Sequence, residues 1–164
     1  MKQFLTLNDL QNFDAQVALA KEIKANPYQY EELGKRKTLG LLFFNPSLRT
    51  RLSTQKAGRL LGMDVMVMNF SNEAWAIEYE DKTIMEGLRS EHVKEAAQVV
   101  SQYCDVVGIR AFATLTDKEK DESEQVLQKF IQYASVPILN MESATAHPLQ
   151  ALADALTLTE LSLP

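Results

Sequence analysis

Apolar residues recur at helical spacing from the start of the chain. Across 7–26, "LNDLQNFDAQVALAKEIKAN", they fall at Leu10, Phe13, Val17, Ala20 and Ile23, one face of an amphipathic helix. Asn8 is the expected cap, with Gln11 three residues on. A polar connector, "NPYQYEELGKRK", follows. The pattern then changes to an unbroken apolar run, "TLGLLFF" at 38–44, which reads as a buried strand. Residues 48–62 return to helical spacing, with Leu52, Ala57, Leu60 and Leu61 inward and Gly62 as C-cap. A second strand is expected at 63–70 and a helix at 90–103 capped by Ser90. A third strand follows at 104–112, then a charged loop at 113–122 and a helix at 123–134. A fourth strand is expected at 136–142 and a closing helix at 147–161. Only 71–89, "SNEAWAIEYEDKTIMEGLR", lacks clean periodicity.

Strands and helices alternate four times, and each crossover is long enough for a right-handed βαβ unit. The expected fold is therefore α/β: three layers, α/β/α, around a four-stranded parallel sheet. Composition agrees with one domain. The 164 residues are 46% hydrophobic and 24% charged, ordinary for a globular protein. There is no apolar run of the length a membrane span needs, and "MKQFLTLNDLQ" lacks a signal-peptide core. The single cysteine, Cys104, sits in a strand pattern and reads as a small core hydrophobe. Together these point to the cytoplasm. A net charge of −5 leaves no broad basic face for nucleic acid. One cysteine and two histidines cannot build a usual zinc site, so no metal is expected.

Ligands of parallel sheets bind beyond the carboxyl ends of the strands. The polar residues at and beyond those ends are Ser47, Arg49 and Thr50 after the first strand and Arg110 at the end of the third. Glu142 ends the fourth, and Thr145, His147 and Gln150 follow it. Arg49 and Arg51 pose a question, because a helix N-terminus already carries partial positive charge. An anion held between the arginines and the backbone N–H groups removes the conflict. Two residues apart on a helix, the two arginines cannot point the same way. Spacing leaves open which one binds. It also leaves open whether Arg110 serves a ligand or a structural ion pair. His147 precedes Pro148, a common first helical residue, so its ring should cap the last helix. A histidine there is favoured neutral and can donate to a carbonyl oxygen. Gln150 can both donate and accept. Trp75, in the irregular segment, is expected to be exposed at an interface.

"SLRT" at 47–50, Arg110 in "GIRAF" and "HPLQ" at 147–150 resemble the carbamoyltransferases, whose usual motifs are S-x-R-T and H-P-x-Q. These are the aspartate, ornithine and acylated-ornithine enzymes. "EAW" before "IMEG" resembles the branch acting on N-acetyl- or N-succinylornithine. The resemblance implies that Ser47, Leu48 (through its backbone), Arg49 and Thr50 hold the phosphate of carbamoyl phosphate. It implies that Arg110 bridges phosphate and carbonyl oxygen, and that the run His147, Pro148, Leu149, Gln150 holds the carbamoyl end. By the same resemblance Arg49, Thr50, Arg110, His147 and Gln150 are catalytic and Glu142 touches the acylornithine. Trp75 would complete a neighbour's site in a homotrimer. No cofactor is implied.

Carbamoyltransferases are about twice this length, as two-domain enzymes are, and their H-C-L-P motif is missing here. The chain is thus expected to be the carbamoyl phosphate-binding domain alone, 1–164, without the acylornithine-binding domain and with weak or no activity of its own. The implied pathway is arginine biosynthesis. Ser90 stands where relatives that distinguish acetyl from succinyl carry other residues, so the acyl group stays open, and free ornithine with it. A non-catalytic assembly module of the same fold is the alternative. In the aspartate branch a loop lysine is expected, and Lys82 is available, but Trp75 favours the acylornithine branch. Segment 71–90 has few anchoring apolar residues and is expected to order only against a partner.

Overall fold

The computed structural model describes residues 3–70, 77–80 and 91–161. Trp75, Lys82 and Ser90 lie outside the described residues, as does most of segment 71–90. The sheet is parallel throughout and has five strands, not four. They are β1 (Gln3–Phe4), β2 (Thr38–Phe43), β3 (Asp64–Asn69), β6 (Val106–Ala111) and β7 (Ile138–Ser143), in the spatial order β1-β7-β6-β2-β3. The additional strand is β1, which pairs Gln3 with Ile138 and Phe4 with Leu139. Two residues are too few to show alternation in a sequence. What holds them is distant: the buried Asn140 donates from Nδ2 to the Leu5 carbonyl at 3.0 Å. A second, two-stranded parallel ribbon joins β4 (Ile77–Glu78) to β5 (Glu91–His92).

Helices α2 (Leu48–Leu60) and α6 (Pro148–Leu161) lie on one face, with α1 (Phe13–Ala25) packed on α6. Helices α3 (Val93–Tyr103) and α5 (Gln125–Tyr133) cover the other. Alternation along β2 divides the core. Leu39, Leu41 and Phe43 meet Met141, Val65 and Leu149 on the α2 side, while Leu42 joins Val93, Ala97, Ile109, Leu127 and Phe130 on the α3–α5 side. Cys104 is in that second cluster, its thiol pKa raised by burial and by the nearby Asp105 charge. Among the described residues no helix is long and apolar enough to cross a membrane.

Four local expectations are corrected. Asn8 caps nothing; it lies in a 3-10 turn, Leu7–Asp9, closed by a capping box between Thr6 and Asp9. Asn12 caps α1 instead, accepting from Ala15 N–H at 2.9 Å. The cap of α3 is His92 rather than Ser90: its Nδ1 accepts from Lys94 N–H at 3.1 Å. The charged loop contains a short helix, α4 (Lys118–Glu122), capped by Asp117. Leu52 and Ala57 are exposed, and the buried positions of α2 are Thr54 and Gly58. Small residues win there because α2 lies close to the sheet. A Cβ on Gly58 would sit 2.9 Å from Val65 Cγ2 and 3.0 Å from Leu39 Cδ2. Thr54 gives its hydroxyl to the Thr50 carbonyl at 2.6 Å and can then be buried without an unmade hydrogen bond. Gly62, just past α2, takes φ 77°, as a helix-ending glycine does.

Candidate active site

The chain leaves β2 toward β3 on one side and, after β3, crosses β2 to reach β6 on the other. The crevice between the carboxyl ends of β2 and β6 is therefore the switch point where parallel sheets bind ligands. A cavity of about 690 Å³ lies there, and its lining includes Ser47, Arg49, Thr50, Arg110, Glu142, His147, Leu149 and Gln150. The strand ends collected from sequence are thus brought together. Thr145 is not part of the lining, and neither is Pro148, which is buried. Leu149 also packs against the α2-side core. Leu48 is exposed, as the first residue of α2.

The α2 end of the site is a capped helix start. Ser47 Oγ accepts from Thr50 N–H at 3.3 Å, and its own hydroxyl proton remains to be donated. The first N–H groups of α2, on Leu48 and Arg49, have no acceptor within the helix. The arginine question is resolved by direction. Arg49 lines the cavity. Arg51 turns the other way, lying 4.7 Å over the Phe43 ring and bonding Asn69 Oδ1.

Arg110 turns out to be both ion pair and lining residue. Its Nε and Nη2 donate to Glu142 Oε2 at 2.9 and 2.8 Å, and its Nη1 lies 3.2 Å from the Asn45 and Pro46 carbonyls. The guanidinium is thus anchored to the turn that leads into α2, and one Nη2 proton remains. Its side chain is 11% exposed and that of Glu142 20%, so the pair is only lightly screened by water.

His147 caps α6. Gln150 N–H points at His147 Nδ1 at 3.3 Å, which in the neutral ring leaves the proton on Nε2. That Nε2 stands 3.9 Å from Glu142 Oε2. The Gln150 side-chain amide donates to Asp154 Oδ1 at 2.8 Å, leaving its carbonyl oxygen as an acceptor. The cavity therefore offers hydroxyl, guanidinium and helix N–H donors at the α2 end. At the α6 end it offers one imidazole donor and one amide acceptor. Such donors can hold an oxyanion at the α2 end and a neutral polar group at the α6 end. Among the described residues no three His, Cys, Asp or Glu side chains are placed to hold a metal ion.

Ser53, Ala57 and Ala153 also line the cavity and were missed from sequence. The available signal was helical spacing: Ser53 lies one turn after Arg49, and Ala153 one turn after Leu149.

Residues 2–160 match the family described as "Aspartate/ornithine carbamoyltransferase, carbamoyl-P binding domain". An N-succinylornithine carbamoyltransferase of Bacteroides thetaiotaomicron is 47% identical over 160 residues, 98% of this chain and 50% of that protein. An N-acetylornithine carbamoyltransferase of Xanthomonas campestris pv. campestris is 41% identical over 162 residues, 98% of this chain and 47% of that one. A crystal structure of acetylornithine transcarbamylase complexed with acetylcitrulline superposes with a TM-score of 0.90 at 40% identity. It is matched over 98% of this chain and 48% of its own. The chain spans about half the length of the curated relatives it matches.

Proposed function

The chain belongs to the aspartate/ornithine carbamoyltransferase family, and from that premise we propose that it is the carbamoyl phosphate-binding half of an enzyme that carbamoylates N-acyl-L-ornithine. The group moves from carbamoyl phosphate to the δ-amine, giving N-acylcitrulline and phosphate. The observation that carries this reading is the convergence of Arg49, Arg110 and His147 on one cavity between two helix starts.

Ser47, Arg49, Thr50 and the first N–H groups of α2 hold the phosphate. The Thr50 hydroxyl, Arg110 and His147 Nε2–H surround the carbamoyl oxygen, and the Gln150 carbonyl accepts from the carbamoyl NH2. The δ-amine attacks the carbonyl carbon, negative charge grows on the oxygen, and those three donors stabilise it as an oxyanion hole does. The C–O bond to phosphate then breaks, and the departing phosphate takes the amine's proton. No covalent enzyme intermediate is needed. Pro148 and Leu149 support the carbamoyl end as the first turn of α6, and Glu142 meets the acylornithine.

The acceptor is acetyl- or succinylornithine; the similar proteins include both kinds. A second domain, over the half of the relatives' length that this chain does not span, supplies most acceptor contacts. The working form is a cytoplasmic homotrimer in which Trp75 completes a neighbour's site, and its pathway is arginine biosynthesis.

Calorimetric titration with carbamoyl phosphate, beside Arg49→Ala, tests the reading. Binding by the parent should fall by roughly tenfold to hundredfold in the variant, the worth of one or two charge-assisted hydrogen bonds. If a neighbour completes the site, the parent's affinity should also rise with protein concentration. A folded parent that binds nothing would point to an assembly module instead.

A further inference from the structure

Glu124 does not line the cavity of the proposed site, yet it grips the loop that delivers His147. Its φ of 48° places a residue bearing a Cβ in the left-handed region, a strained conformation that persists only where the surroundings enforce it. The backbone turns there between the end of α4 and the start of α5, with no glycine to ease it. From that position the carboxylate reaches Thr145. Its Oε1 accepts from Thr145 N–H at 3.0 Å and from Thr145 Oγ at 2.8 Å. Thr145 is two residues before His147. The same loop is held from within: Ser143 N–H donates to the Ala146 carbonyl at 2.8 Å, and Asn140 Nδ2 donates to Ser143 Oγ at 3.0 Å. Asn140 and Ser143 are both buried. The turn between β7 and α6 is therefore clamped from the core by Asn140 and from the outside by Glu124.

We propose that Glu124 is a positioning residue for the carbamoyl end of the site: through Thr145 it sets where the His147 ring stands relative to Glu142. The proposal rests on the carbamoyl phosphate reading above. Glu124 does not touch the phosphate end, which is built on the turn between β2 and α2. Losing it should separate the two ends of the ligand.

Glu124→Gly tests this in the present chain, because it frees the left-handed backbone and removes the carboxylate together. The chain has two histidines, so their ring signals are easily told apart by NMR. The His147 signals should move by more than those of His92, which the start of α5 reaches only indirectly, through Gln125 and Glu80. Affinity for carbamoyl phosphate should drop roughly fivefold to tenfold, while affinity for inorganic phosphate stays within about twofold. Glu124→Gln, which keeps an acceptor oxygen, should restore most of the loss. Unmoved His147 signals, or equal losses for both ligands, would overturn the proposal. If the parent binds no carbamoyl phosphate, the functional reading fails, and the His147 signals alone decide this one. If Glu124→Gly does not fold, Thr145→Val removes the hydroxyl donor with little change of shape. It should displace the same His147 signals, and their staying in place would overturn the proposal.

Discussion

Glu142 stands opposite Arg110 because the pairing of β6 with β7 slips by one residue. Ile109 faces Asn140, and the next pair is Arg110 with Glu142. The skipped residue, Met141, is fully buried in the core beneath α2 and α6. A bulge beside a site re-aims a side chain, and here it brings a carboxylate to the guanidinium at 2.8 Å. Glu142→Gln should lower stability by about 1–2 kcal/mol, the scale of a partly buried charged hydrogen bond, read by urea denaturation. Inorganic phosphate should then raise the midpoint more in the variant than in the parent, because Arg110 has lost its counter-charge. Identical phosphate responses would show that Glu142 does not balance Arg110.

The two arginines of α2 should separate in effect. Arg51→Ala loses the contact over Phe43 and the bond to Asn69, and should cost about 1–2 kcal/mol of stability. Its carbamoyl phosphate affinity should stay at the parent's. Arg49→Ala should do the reverse. Thermal denaturation and calorimetry on the same preparations decide, and a binding defect in Arg51→Ala would break the assignment.

The turn after β6 should respond to acid late. Asp121 accepts from Thr114 N–H, Leu115 N–H and the Thr114 hydroxyl, and the Thr114 backbone bond is the chief cause that holds its pKa below the ordinary aspartate value. A depressed folded pKa stabilises above the unfolded value, and that contribution disappears as pH falls through the folded one. The Thr114 and Leu115 amide signals should therefore titrate with a midpoint below the ordinary aspartate value. In Asp121→Asn they should not titrate there. A parent midpoint at or above the ordinary aspartate value contradicts the network.

Gly58→Ala sets two effects against each other. Helix propensity alone favours alanine by about 1 kcal/mol. The added Cβ meets Val65 Cγ2 at 2.9 Å, and a β-branched side chain has little freedom to turn away. Overpacking of this kind costs about 1–3 kcal/mol, so the net change should be a loss of stability. The displaced helix also carries Ser47 and Arg49, so carbamoyl phosphate affinity should fall with it. A variant more stable than the parent would mean that the gap can open.

The four longer strands were legible because each is an apolar run bounded by polar turns, and the strand-end rule then located the site. What escaped depends on distance or on close approach. β1 exists through residues 138 and 139, which no local window contains. Leu52 fits an inward helical spacing, but the buried positions of α2 are Thr54 and Gly58, and at Gly58 the gap to Val65 and Leu39 leaves no room for a Cβ. His92 lies outside the usual set of capping residues, and Ser90, two residues earlier, belongs to it. Arg49 and Arg51 are equivalent by type and differ only in direction. Glu124 carried no signal, since nothing in "DESEQV" indicates a left-handed glutamate.

The pairing of β1 with β7 also orders events during synthesis. β2, β3 and β6 are all present once residue 111 has been made, and they can pair among themselves. Residues 3 and 4 gain their partners only when 138 and 139 leave the ribosome. At translation rates of about 5–20 residues per second, β1 waits roughly 7–27 seconds after its own emergence. Strand β1 is therefore made before β2, β3 and β6, yet it joins the sheet only after those three can already pair.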